Sequence, residues 1–128
     1  MGVYSYNKKE KLKSSKLLET LFTKGRSLNA FPVKVFYMPL TTNDELPIKA
    51  GVGVSARNFK KAVDRNRIKR LLRECYRLNK LSLHDQLHAQ QKKLAVFFLY
   101  VGKEMPDYSQ LEEKMKLVIT KLEQALVG

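Results

Sequence analysis

Ala62-Val63-Asp64-Arg65-Asn66-Arg67-Ile68-Lys69-Arg70-Leu71-Leu72-Arg73-Glu74 carries an apolar stripe and a cationic stripe on one stretch of chain. At 3.6 residues per turn, a helix over residues 62–80 puts Ile68, Leu71, Leu72, Cys75 and Leu78 on one face. Asn66, Lys69, Arg70, Arg73, Arg77 and Lys80 share the opposite face, with Arg65 and Arg67 flanking that basic row on its two sides. The first face docks the helix on a core. The second presents guanidinium groups, whose planar forks match phosphate oxygens. A merely solvated helix face interleaves acids with bases, because i,i+4 pairs add stability and solubility. Here only Asp64 and Glu74 offset the bases.

The segments on either side decide what this helix connects. Phe31 to Met38 alternates, with Phe31, Val33, Val35 and Tyr37 on one face and Lys34 and Phe36 on the other. Ile48, Ala50, Val52 and Val54 alternate again, with Gly51 and Gly53 between them. Both read as half-buried strands, and Pro32 marks an edge or an early bulge in the first. The polar stretch Thr41 to Leu46, set between Pro39 and Pro47, predicts that the two strands form an antiparallel hairpin. The two glycines are bulge positions, or places where another backbone or a ligand comes close. Beyond the basic helix, Leu81 to Gln91 reads as a polar connection, and Leu94 to Val101 as a strand covered on both faces.

The ends of the chain add two helices. Ser14 or Ser15 caps a short one whose apolar face is Leu17, Leu18, Leu21 and Phe22, with Gly25 just past its end. Ser109 and Glu112 have capping-box spacing, and Leu111, Met115, Val118, Ile119, Leu122 and Leu126 trace one face of a final helix. Residues 1–13 read as a flexible basic arm. No repeat or linker divides the chain, so residues 1–128 are expected to form a single domain. The expected order is helix, strand, strand, basic helix, strand, helix. A crossover helix implies parallel neighbouring strands, hence a small α/β (α+β) sandwich with helices mostly on one side of a sheet.

Charge narrows the partners. The 128 residues carry a net charge of +13. Residues 57–80 hold ten bases (Arg57, Lys60, Lys61, Arg65, Arg67, Lys69, Arg70, Arg73, Arg77 and Lys80) against Asp64 and Glu74, so +8 of the total falls there. A local excess of this kind is the footprint of a polyanion, nucleic acid before anionic membrane. Lys60 and Lys61 oppose the dipole at the helix start, which is tolerable when a phosphate neutralises them. The apolar stripe is committed to the core, which leaves no free face to insert into a bilayer. Leu94 to Val101 is far too short to span one. Cys75, the lone cysteine, sits on the apolar stripe as a small core residue. No intrachain disulfide can form, and a cytoplasmic location is expected.

Catalytic groupings are sparse. His84 and His88 stand four apart, as two ligands on one helical face would, but in a polar segment with Asp85 as the only nearby acid. Gly51-Val52-Gly53 is too short for a phosphate loop. Acids are few and scattered, so any catalysis is expected to rest on groups of a partner. Phe22, Phe36 and Tyr100 could lie near the basic helix, where aromatics beside cations hold single strands by stacking bases and neutralising phosphates. Each of these rings is more often a core residue than a stacking platform.

The run Ala62-Val63-x-Arg65-Asn66-Arg67-x-Lys69-Arg70-x-x-Arg73-Glu74 closely resembles the signature of the bacterial ribonuclease P protein subunit family. The resemblance extends over most of the chain: Leu12-Lys13 in a basic N-terminus, Phe22 and Gly25 at the end of a first helix, Val52 to Ser55 at a strand end, then the signature helix, a buried strand and a last helix. It implies an α/β sandwich with a left-handed crossover through the signature helix, where the general rule for such connections is right-handed. It also implies a protein that binds a large catalytic RNA and assists endonucleolytic removal of the 5′ leader from precursor tRNA. In that picture the RNA holds the Mg²⁺ and performs the hydrolysis, the protein alone is inactive, and no protein partner is required. Carried over by position, Arg57, Lys60, Lys61, Arg65, Asn66, Arg67, Lys69, Arg70 and Arg73 contact RNA. Phe22, Phe36 and Lys103 line a cleft for the leader. The chain departs from the family at Leu18, where an aromatic is frequent, at Ala56, where a Lys is usual, and in a Ser55–Lys61 loop one residue shorter than the commonest form. The alternative is a non-catalytic structured-RNA-binding module of the ribosomal or RNA-chaperone type, which shares the charge pattern without the signature.

Overall fold

The structure, a computed structural model, describes residues 15–40 and 48–127. The expected N-terminal arm, the Leu12-Lys13 element, a cap at Ser14 and the Thr41–Leu46 loop lie outside the described residues. The elements run α1 (Ser15–Lys24), β1 (Arg26–Ala30), β2 (Val33–Pro39), β3 (Ile48–Val54), α2 (Ala62–Asn79), α3 (Leu81–Ala89), β4 (Leu94–Tyr100) and α4 (Tyr108–Val127). The α/β class holds, with two more elements, β1 and α3, than the sequence reading contained.

The four strands form one sheet in the order β1-β2-β4-β3. β4 pairs antiparallel with β2 and parallel with β3. The expected hairpin of β2 with β3 is therefore wrong: β4 lies between them, and the antiparallel neighbour on the other side of β2 is β1. The apolar run of β4 explains its place, since a central strand loses most of its surface to neighbours. The parallel pair is joined through α2 and α3, as the crossover argument required.

One sheet face is dry. Val33, Val35 and Tyr37 of β2, Ile48 and Ala50 of β3, and Leu94, Val96, Phe98 and Tyr100 of β4 pack there against α2 and α4. α2 contributes Ile68, Leu72, Cys75 and Tyr76; α4 contributes Leu111, Met115, Val118, Ile119 and Leu122. Tyr76 takes the inward place expected of Leu78, which is 39% exposed. On the other face of β4, Phe97 and Leu99 are only half-buried, so that strand is not fully covered on both sides. α1 lies over part of this second face, seating Leu21 in full burial and Phe22 against Phe36 and Phe97.

Local chemistry sets the boundaries. Gly25 follows α1 without a left-handed conformation. It is required by space, because a Cβ there would stand 2.4 Å from the Leu21 carbonyl oxygen. α2 ends where the Asn79 side-chain amide donates to the Cys75 carbonyl at 2.7 Å. Lys80 stays right-handed helical, so α3 follows at once. α3 shows little periodicity in the sequence. It buries Leu83 and Leu87 and is held to α4 through Gln86, whose side-chain amide donates to the Glu123 carbonyl at 2.8 Å. In α4, the Leu111 amide donates to the Asp107 carbonyl, which puts Ser109 inside the first turn rather than at the cap of the expected box.

Candidate nucleic-acid interface

The outward face of α2 is built as its periodicity demands. Asn66, Arg67, Arg70 and Arg73 are exposed and Lys69 is half-buried. Asn66, Arg70 and Arg73 succeed one another at i, i+4 and i+7, a row about 10 Å long at 1.5 Å per residue. Among the described residues, Arg67, Lys69, Arg70 and Arg73 enter no ion pair. The row stops at Arg77, whose guanidinium is clasped by Glu74 and holds that carboxyl below its usual range. Lys80 does not belong to the exposed row: it is 3% exposed, with its ammonium 5.9 Å from the Tyr76 ring centroid.

The loop between β3 and α2 is a built platform. Ser55 closes it from one side, its amide donating to the Tyr100 carbonyl and its own carbonyl accepting from the amides of Asn58 and Phe59. The Asn58 side-chain amide donates to the carbonyls of Val101 (3.3 Å) and Gly102 (3.2 Å), tying the loop to the end of β4. Phe59 is buried, its ring 6.0 Å from that of Tyr100. From α2, Arg65 reaches back, and its Nη1 donates to the carbonyls of Phe59 and Lys60, each at 2.8 Å. Arg57, Lys60 and Lys61 project exposed from this frame. Lys61 caps α2 without a side-chain hydrogen bond, so the first-turn N–H groups face the same region as the lysines. Arg65 therefore has a structural role beside the contact role expected of it. Asn58 and Phe59 were missed by sequence reasoning, since neither belongs to a periodic pattern.

The second face of the sheet carries the aromatics. Phe22 meets Phe36 edge-on at 5.0 Å and Phe97 at 5.2 Å, and remains 46% exposed. Lys34 of β2 sits over the Phe36 ring at 5.1 Å. Gly53 lies beside Phe97 in the parallel register region, where a Cβ would stand 2.5 Å from the ring. Phe22 and Phe36 thus come together as expected, while Tyr100 does not join them. It faces the core, with its hydroxyl donating to the Glu104 carbonyl at 2.6 Å. Phe97 takes the place expected of Tyr100; in the sequence it was hidden inside an unbroken apolar run. Lys103 is exposed just past β4, next to the carbonyls that Asn58 grips.

The remaining candidates are structural. Cys75 is fully buried, and burial, with Glu112 and Glu74 adding to it, pushes its thiol up to about 12. His84 lies on α3 with its Nε2 3.0 Å from the Tyr76 hydroxyl. Among the described residues no three His, Cys, Asp or Glu side chains gather to hold a metal ion, and no helix is long and apolar enough to cross a membrane.

Comparison with known proteins fits this arrangement. The family model described as Ribonuclease P matches residues 6–123. The ribonuclease P protein component of Porphyromonas gingivalis is 33% identical over 115 residues, covering 90% of this chain and 84% of the relative. That of Petrotoga mobilis is 32% identical, covering 93% and 96%. The Staphylococcus aureus RNase P protein structure superposes with a TM-score of 0.66 at 17% identity, covering 88% of this chain and 94% of that one, and shows the shared fold. The chain belongs to the family of bacterial ribonuclease P proteins, components of an endoribonuclease that acts in tRNA processing.

Proposed function

We propose that this chain binds the catalytic RNA of ribonuclease P through α2 and the loop before it, and receives the 5′ leader of precursor tRNA on the second face of the sheet. The observation that carries the reading is the row of exposed, unpaired cations on α2, backed by a helix stripe already spent on the core. Arg57, Lys60, Lys61, Arg65, Asn66, Arg67, Lys69, Arg70 and Arg73 meet the RNA subunit, as charge-assisted phosphate contacts. Phe22, Phe36 and Lys103 receive the leader, rings against bases and ammonium against phosphate. The Mg²⁺ that activates water for phosphodiester hydrolysis is held mainly by the RNA. The protein's own part is to neutralise and position two RNAs, with no membrane or second protein needed.

The test is cleavage of precursor tRNA at low Mg²⁺ by a bacterial ribonuclease P RNA, with and without the chain. Strong stimulation, and no cleavage by the chain alone, is expected. Tight RNA binding without stimulation would replace the reading with a general structured-RNA-binding module. Within the same assay, Phe36→Ala should weaken binding of long-leader substrates by about 1–3 kcal/mol, the worth of a stacked base. Equal loss on leaderless tRNA would make Phe36 a packing residue instead.

A further inference from the structure

A second group of cations gathers at the end of the sheet opposite the β3–α2 loop. Lys24 from the last turn of α1, Arg26 from the start of β1 and Lys92 from the segment before β4 line one hollow of about 280 Å³. Its floor is apolar, made by Tyr37, Met38, Leu94 and Leu126. All three cations are exposed and enter no ion pair among the described residues. Among the described residues no carboxylate lines the hollow. Glu123, the last acid of α4, is turned toward α3, where its carboxylate accepts from the Ser82 hydroxyl at 2.7 Å. Part of the charge serves the fold. The Lys92 ammonium donates to the Leu126 carbonyl at 3.3 Å, and Lys24 stands where a cation offsets the dipole of α1. The two helix ends carry about half a negative charge each, so the three cations leave a net of about +2. Arg26, opposite Tyr37 in the β1–β2 register, serves no helix end.

We propose that Lys24, Arg26 and Lys92 form a second contact for the ribonuclease P RNA, taking the phosphate of one unpaired nucleotide whose base lies on the apolar floor. This rests on the RNA-subunit reading above and extends it to the far end of the sheet. The hollow is at the small end of the range for ligand sites, about 300–1,000 Å³, which suits one nucleotide and not a duplex. Cations around an apolar floor match the two parts of a nucleotide, a charged phosphate and a base with a flat face. The side of the sheet selects which RNA arrives. Tyr37 and Leu94 belong to the dry face, and Ala125 and Leu126 to α4, which covers that face together with α2. The leader is assigned to the other face. An RNA reaching the hollow therefore comes from the side on which α2 shows its cations. β4 runs from Leu94 at the hollow to Tyr100 at the β3–α2 loop, about 20 Å at the rise of a strand. Phosphate contacts that far apart fix the orientation of the protein on a large folded RNA, as a single row on one helix does not.

The experiment measures association of the full chain with a bacterial ribonuclease P RNA over a salt series, without substrate. The double variant Lys24→Gln, Arg26→Gln should bind about five- to tenfold more weakly, with a salt dependence shallower by about one to two ions. Combined with Arg73→Ala, the fold-losses should multiply, since the two contacts share no partner. The holoenzyme reconstituted at saturating double variant should keep the parent's dependence on leader length. Because Cys75 is buried, Arg26→Cys offers the one thiol within reach of a reagent. A photocrosslinker on that thiol should join the RNA subunit at a single unpaired nucleotide. Parent-like affinity and salt dependence of the double variant, an equal loss on an unrelated structured RNA, a loss confined to long-leader precursor tRNA, or crosslinks scattered over the RNA or into a duplex would each overturn the proposal. Arg73→Ala in the same series separates the two ideas. If it weakens RNA binding while the double variant does not, the second contact fails and the α2 interface stands. If neither weakens it, the RNA-subunit reading itself fails.

Discussion

Arg65→Ala tests whether the signature arginine acts on the loop as well as on RNA. Its Nη1 bridges the carbonyls of Phe59 and Lys60, and one of those bonds is half-buried while the other is exposed. Two carbonyls sharing one nitrogen are best counted as a single charge-assisted hydrogen bond, worth about 1–2 kcal/mol in a partly solvated setting. For a domain of this size each kcal/mol moves the melting temperature by about 3–5 °C. Arg65→Ala should therefore melt about 3–10 °C below the parent. Arg73→Ala, exposed and unpaired, should melt within the small range usual for surface changes. Both should weaken association with ribonuclease P RNA, Arg73→Ala by about 1–3 kcal/mol and with a salt dependence shallower by roughly one ion. The two arginines then part company in a double-mutant cycle. Lys60→Ala added to Arg65→Ala should cost less than the sum, since the loop presenting Lys60 is already released, whereas Lys60→Ala with Arg73→Ala should add. Filter binding over a salt series and a thermal melt give both quantities. An Arg65→Ala variant that melts with the parent and adds fully with Lys60→Ala would refute the platform.

Three further outcomes follow from the packing. Gly53→Ala puts a methyl where the Phe97 ring stands, 2.5 Å from its Cζ. The half-exposed ring should yield at a cost of about 1 kcal/mol in a denaturant titration, and in moving should disturb the Phe22 contact and lower affinity for long leaders. Leu72→Ala opens the dry face beneath α2 and should cost about 2–5 kcal/mol in the same titration; a smaller loss would mean that α2 is not docked as described. Cys75 should resist thiol reagents at neutral pH until the protein unfolds. Its pKa of about 12, against an ordinary 9.0, means the folded state disfavours the thiolate. The stability linked to this thiol is fully present below about pH 9 and is lost as the pH rises toward 12, so alkaline melts should decline in that window, less steeply for Cys75→Ala.

The basic helix was legible because it satisfies two demands at once on a 3.6 period: Ile68, Leu72 and Cys75 inward, Asn66, Arg70 and Arg73 outward. α4 was legible for the same reason, apart from its first residue. β1 was not, because Arg26-Ser27-Leu28-Asn29-Ala30 has little strand character of its own and is a strand only by pairing with β2. α3 hid behind its polar residues, since Leu83 and Leu87 supply one turn of pattern and α4 supplies the rest. Phe36 could be assigned to a strand face, but its company of Phe22 and Phe97 required the sheet order.

The amino-acid sequence alone determined the class of fold, the site of charge and the face of α2 that carries it, because periodicity and side-chain charge are local properties. Strand order, the burial of Lys80 and Tyr100, and the reach of Arg65 and Asn58 across the loop were decided by tertiary structure. Which strand takes the centre depends on the competition among all strands for the driest position, and a hydrogen bond between residues 58 and 102 exists only once β4 has won it.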